Sequence, residues 1–264
     1  MDLQLNGKHA LLTGASRGLG WAAARQLALE GCDLALAARG SEALRKAASE
    51  LAEQTGRRVV PVVADTSDDA SVAAMAEQAS TELGGIDILV NCAARSAGAS
   101  GAVTTVSAES LRTEYDVKAL GYLRCAQAVL PQMIDRGWGR IINVAGLAAR
   151  QSGAVSAAMR NAAIIALTKN LADVVGRHGI TVTAVHPGVT RTERVAQRMN
   201  SQAESRGVGV DQIAAEMGAD YAIGRIVEPS EIGDVIAFLA SPRSVAITGD
   251  LIACGGGRIG PIYH

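Results

Sequence analysis

Aromatic side chains are scarce. They make up 3% of the 264 residues, with one Phe and two Trp. That leaves little for base-stacking platforms and, with 29 Gly and abundant Ala, favours close helix-on-sheet packing. Excess charge is also missing: the net charge is −1 and the basic residues are scattered, so neither nucleic acid nor an anionic membrane is an expected partner. Cysteine is rare. Cys32, Cys92, Cys125 and Cys254 lie far apart with no CxxC or Cys/His metal spacing, and buried reduced thiols in a cytoplasmic protein are expected. No apolar run reaches the roughly 18–20 residues of a membrane span. The first residues lack the charged and apolar blocks of a signal peptide.

What is present is alternation. Short β-rich runs at 8–13, 33–38, 58–64, 86–91, 139–145, 179–186 and 245–253 are separated by helical stretches near 18–30, 41–55, 68–83, 109–136, 153–176 and 229–241. Seven strands alternating with six helices predict one α/β domain, 1–264, with a parallel sheet covered on both faces. Apolar residues at 48% can fill such a core. Thr66, Ser67 or Asp68 can cap the third helix, and Pro229 with Ser230 and Glu231 opens the last. Residues 190–228 break the alternation. They are polar, and we expect them to form a lid at the carboxyl edge of the sheet, where open α/β folds bind ligands.

The strongest local signal is "LLTGASRGLGWAAARQL". A strand ends at Thr13, Gly14, Gly18 and Gly20 follow, and a helix begins. Glycines admit a diphosphate close to the backbone, and the helix N-terminus supplies unpaired N–H groups. The spacing is G-x3-G-x-G, not GxGxxG, so it is the strand–turn–helix context that points to a dinucleotide. An NAD-preferring site carries Asp or Glu at the end of the second strand. Here Arg39 stands there, and Arg17 sits inside the glycine turn. Two guanidiniums suit a 2′-phosphate, so NADP(H) is favoured and NAD(H) remains an option.

With these pieces in place, the chain resembles the short-chain dehydrogenase/reductase family over nearly its whole length, most closely the 3-oxoacyl-carrier-protein-reductase-like branch. The resemblance rests on "TGASRGLG", "NCAA" (91–94, with Ala94 for a final Gly), "HPGVTRT" (186–192) and "GRIVEPSEIGDVIAFLAS". It implies a doubly wound Rossmann domain with strand order 3-2-1-4-5-6-7. It also implies a homotetramer or homodimer formed through helices 109–136 and 153–176. The implied cofactor contacts are Gly14, Ser16, Arg17, Gly18, Leu19, Gly20, Arg39, Asp65 (to adenine), Thr66, Asn91, Ala93, Pro187, Gly188, Val189 and Thr192 (to the nicotinamide amide).

The family's catalytic Ser, Tyr, Lys and Asn are all replaced. The Ser position falls on Gly146 (or Ala145), Tyr on Ala157, Lys on Asn161 and Asn on Lys118. Register shifts cannot restore the Tyr, because none lies between Tyr122 and Tyr221. General acid–base help is worth about 10²–10⁴ in rate, so its loss must be made good elsewhere. Lys118 could turn inward and donate a proton, or be an ordinary exposed lysine. His186 could titrate near neutrality, or bond to backbone. Ser156, Arg160, Tyr263 and His264 are weaker candidates, and Arg160 is expected to be solvated or at an interface. Three readings follow. One is an NADP(H)-dependent oxidoreductase of atypical mechanism acting on a small molecule, such as an activated carbonyl, enone or imine. Another is a catalytically silent nucleotide-binding protein serving as sensor or as partner of an active homologue. The third, which nothing in the sequence favours, is a non-redox enzyme using the pocket for elimination or isomerisation with Lys118 or His186 as base.

Overall fold

Continuous apolar runs need burial on both faces, and the sheet provides it. In the computed structural model, which describes residues 1–94 and 104–260, seven parallel strands run in the order β3-β2-β1-β4-β5-β6-β7. They are β1 (His9–Thr13), β2 (Asp33–Ala38), β3 (Val59–Val63), β4 (Ile88–Asn91), β5 (Gly139–Val144), β6 (Ile180–His186) and β7 (Leu251–Ala253). All residues of β4, β5 and β6 are buried. Pro61 sits within β3, which is tolerated because β3 is an edge strand with one ladder to make.

One face is covered by α1 (Gly18–Leu29), α2 (Ser41–Thr55) and α9 (Pro229–Ala240), and the other by α3 (Asp69–Leu83), α5 (Gly121–Arg136) and α6 (Val155–Val175). The crossover order returns each chain to the carboxyl edge of the sheet after every strand, and the site assembles there.

Two sequence expectations change, and a third, the cap of the third helix, is settled among its alternatives. The helix read as 109–136 is α4 (Ala108–Tyr115), a π-helical turn (Asp116–Leu120) and α5. The seventh strand is only 251–253, because Gly249 turns the chain at φ +69° and Thr248 is committed through its hydroxyl to the Val182 N–H. The third helix is capped by Asp68, whose carboxylate accepts from the Ser71 N–H at 2.6 Å, while the Thr66 hydroxyl is drawn away to the Val117 carbonyl. Segment 190–228 holds α7 (Glu193–Arg206) and α8 (Val210–Gly218), packed through Met199, Ala203, Ile213, Tyr221 and Ile226. All four cysteines are free thiols. Among the described residues no helix is long and apolar enough to cross a membrane. Tyr263 and His264 lie outside the described residues.

Candidate active site

The carboxyl ends of β1, β2 and β4 border a cavity of about 830 Å³. Its floor is the glycine turn. Gly14 has φ +67°, and a Cβ there would lie 2.8 Å from the Ala93 Cα. A Cβ on Gly20 would lie 2.3 Å from the Gly14 carbonyl oxygen. Any side chain at either place would force the turn apart. α1 begins here with no side-chain cap, so its first-turn N–H groups suit an anion. Arg17 and Arg39 both line the cavity, both are exposed, and neither forms an ion pair among the described residues. An uncapped helix, glycine-enforced access and two uncommitted guanidiniums fit the diphosphate and 2′-phosphate of a phosphorylated dinucleotide.

Of the other expected contacts, Ser16, Gly18, Leu19, Thr66, Ala93 and Thr192 line the same cavity. Asp65 is not part of the lining, and its Oδ1 accepts from the Ser67 N–H and hydroxyl. Asn91 is buried, and its Nδ2 donates to Asn143 Oδ1, which begins an amide chain running on to Thr168. Pro187 accepts from the Leu147 N–H, and the Val189 N–H donates to the Tyr221 hydroxyl. Gly188 lies against Gly255, where a Cβ would approach to 3.1 Å. None of these five residues lines the cavity. Cys92, Arg194 and Gln197 line the cavity without having been singled out from the sequence.

Lys118 forms part of the same wall. It projects from the π turn, is 4% exposed, and its Nζ donates to the Ala145 carbonyl at 3.0 Å and to Asn161 Oδ1 at 2.8 Å. Burial, and then the Arg160 guanidinium, lower its pKa to about 7, against weaker support from Cys92 and Glu114. Glu114, one turn earlier and 1% exposed, is ion-paired to Arg160 of α6. This corrects the expectation of a solvated Arg160.

The family model described as enoyl-(acyl carrier protein) reductase matches residues 14–258. Oxidoreductase UcpA of Escherichia coli (strain K12) is 36% identical over 266 residues, covering 98% of this chain and 97% of that protein. Short-chain reductase protein NovJ of Streptomyces niveus is 35% identical over 250 residues, covering 94% and 93%. The structure of L-sorbose reductase from Gluconobacter frateurii, complexed with NADPH and L-sorbose, matches with a TM-score of 0.93 at 28% identity, covering 99% of this chain and all of that one. The chain belongs to the short-chain dehydrogenase/reductase family.

In this short-chain dehydrogenase/reductase the four stations implied by the resemblance converge in space. Gly146 follows Ala145 of the wall, and a Cβ there would lie 3.0 Å from Asn161 Nδ2. Ala157 lies in the first turns of α6, one turn before Asn161. Lys118 turns inward, so the exposed-lysine alternative fails.

His186 is fully buried, and among the described residues neither ring nitrogen has a partner. Burial, Arg150 and Lys118 push its pKa down to about 4. The expectation of a histidine titrating near neutrality is therefore corrected: an unpartnered imidazole between two cations stays neutral. It is also absent from the cavity lining. Ser156 is buried at the start of α6. Glu114 escaped the sequence reading, although its i, i+4 spacing from Lys118 is a signal that the two share one helix face.

Proposed function

We propose that this protein is an NADP(H)-dependent oxidoreductase acting on a small molecule with an electronically activated carbonyl, enone or imine, with Lys118 as its proton donor. The observation that carries this is the buried Lys118 ammonium on the wall of a dinucleotide-sized cavity, held by two neutral acceptors. When bound, a reduced nicotinamide supplies hydride. An ammonium has three donors. Ala145 and Asn161 occupy two, and the third remains for a substrate oxygen or nitrogen. With its pKa near 7, Lys118 holds a proton it can release at neutral pH, which a lysine at its ordinary value cannot do efficiently. An activated substrate lowers the demand on that proton. Arg17 and Arg39 select the phosphorylated dinucleotide, and the α7–α8 segment covers the cavity through Glu193, Arg194 and Gln197. Exposed Ile134 on α5 and Met159 and Val174 on α6 support assembly into a homodimer or homotetramer through these helices.

Lys118→Met is expected to bind NADPH in a fluorescence titration while losing about 10²–10⁴ of turnover on a carbonyl, enone and imine panel. In the parent, reductive turnover should fall as pH rises through about 7, because the ammonium is lost. Equal turnover by Lys118→Met would refute the donor role. NADPH binding without turnover by the parent on any substrate would favour the silent nucleotide-binding protein. For the cofactor, Arg39→Ala should weaken NADPH about tenfold or more and leave NADH nearly unchanged, since only NADPH carries the phosphate that Arg39 meets. Equal losses for both would remove that assignment.

A further inference from the structure

We propose that Lys118 and Asn161 are an exchanged pair, in which Asn161 of α6 is the positioning residue that orients the Lys118 ammonium. The inference rests on the reading of Lys118 as proton donor and adds what holds it there. The resemblance places a lysine on the α6 station and an asparagine on the preceding helix. This chain carries the reverse, and the two side chains meet at 2.8 Å. Two separate losses from a catalytic set would leave no such contact. A coupled exchange keeps one amine and one amide at the same place and reverses only the helices that carry them.

The orientation of the amide follows from chemistry. An ammonium only donates, so the Asn161 oxygen must face Lys118. The amide nitrogen then lies toward Gly146, 3.0 Å from where a Cβ would stand. The missing side chain at Gly146 is thus part of the same arrangement, because a serine there would press on the amide.

Among the described residues, Asn161 is also the one side chain that accepts a hydrogen bond from the Lys118 ammonium. The other charged or titratable groups around Lys118 act without such a bond. Glu114 on α4 is committed to Arg160 on α6. Cys92 follows β4, and His186 ends β6. The Tyr122 ring on α5 has its centroid 5.9 Å from Nζ. The acceptor at position 161 therefore acts, with the Ala145 carbonyl, against the burial and the Arg160 charge that loosen the Lys118 proton.

The test reads the lysine itself. The protein is labelled with ¹³Cε-lysine, and the Lys118 resonance, assigned by its loss in Lys118→Met, is titrated by NMR without substrate. Asn161→Asp, nearly isosteric, should move the titration up by at least one pH unit, a tenfold change in the proton equilibrium. Asn161→Leu should move it down.

In a double-mutant cycle, Asn161→Lys should lower the thermal midpoint sharply, since two ammoniums would crowd one acceptor. Lys118→Asn with Asn161→Lys should recover most of that loss and retain a titrating lysine. An unmoved titration in Asn161→Asp, or losses that simply add in the double variant, would overturn the pairing. A shifted titration with unchanged turnover in Asn161→Asp and in Lys118→Met would leave the pairing standing and remove the donor reading instead.

Discussion

His186 shows how burial rewrites a residue. An exposed imidazole titrates near 6.5, but here the ring is fully buried, with both nitrogens unpartnered among the described residues, and its pKa is pushed down to about 4. The folded-state pKa lies below the unfolded one. Between pH 6.5 and 4 the unfolded chain therefore binds a proton that the folded protein refuses, and stability falls as pH drops through that window. The span corresponds to about 3 kcal/mol as an order of magnitude. Urea unfolding of the parent should show this loss between pH 6.5 and 4, and His186→Leu should flatten that part of the curve. An unchanged slope would mean that the ring finds a proton acceptor on acidification. Lys118 carries a penalty of the same kind, which is largest below its folded pKa of about 7 and is relieved toward the unfolded value of 10.5. The site thus keeps a costly charge where a catalyst needs one.

The telling element is the helix that carries Lys118. Its apolar spacing reads as one helix, and the widened turn at Asp116–Leu120 leaves no clear mark in the sequence. Contacts from elsewhere hold it. The Thr66 hydroxyl donates to the Val117 carbonyl at 2.9 Å, and Arg124 ties Asp69 of α3 to Asp116. Gly121 lets α5 come so near the loop after β3 that a Cβ would lie 2.9 Å from the Thr66 carbonyl oxygen and Cβ. Gly121→Ala should therefore overpack this contact and cost about 1–3 kcal/mol. Because the π turn would shift with it, turnover should fall more than NADPH affinity. Denaturant unfolding and a kcat measurement check the two parts, and a neutral Gly121→Ala would show that the turn is held by α5 alone. The α7–α8 segment teaches the same lesson. Its apolar residues are few and set in a polar background, and they form a core only once both helices and Tyr221 meet.

Across the whole molecule, the sequence by itself determined the alternation of buried strands and covering helices, the parallel sheet order through the family's motifs, the glycine turn with Arg17, and Arg39 after the second strand. These are legible because each is short-range: a periodicity, a backbone conformation or a residue type at a fixed offset. The expectation that Ser, Tyr and Lys are missing from their stations came from the same motifs. Only the tertiary structure decided that Lys118 is buried, that Asn161 accepts its hydrogen bond, that Glu114 is ion-paired to Arg160, that Asp65 accepts from Ser67, and that Asn91 is tied to Asn143. Each of these joins residues far apart in the chain, at a distance fixed by how the helices pack over the sheet. A side chain's charge and availability depend on that packing, on what surrounds it and how much water is excluded, and neither quantity is written locally in the sequence.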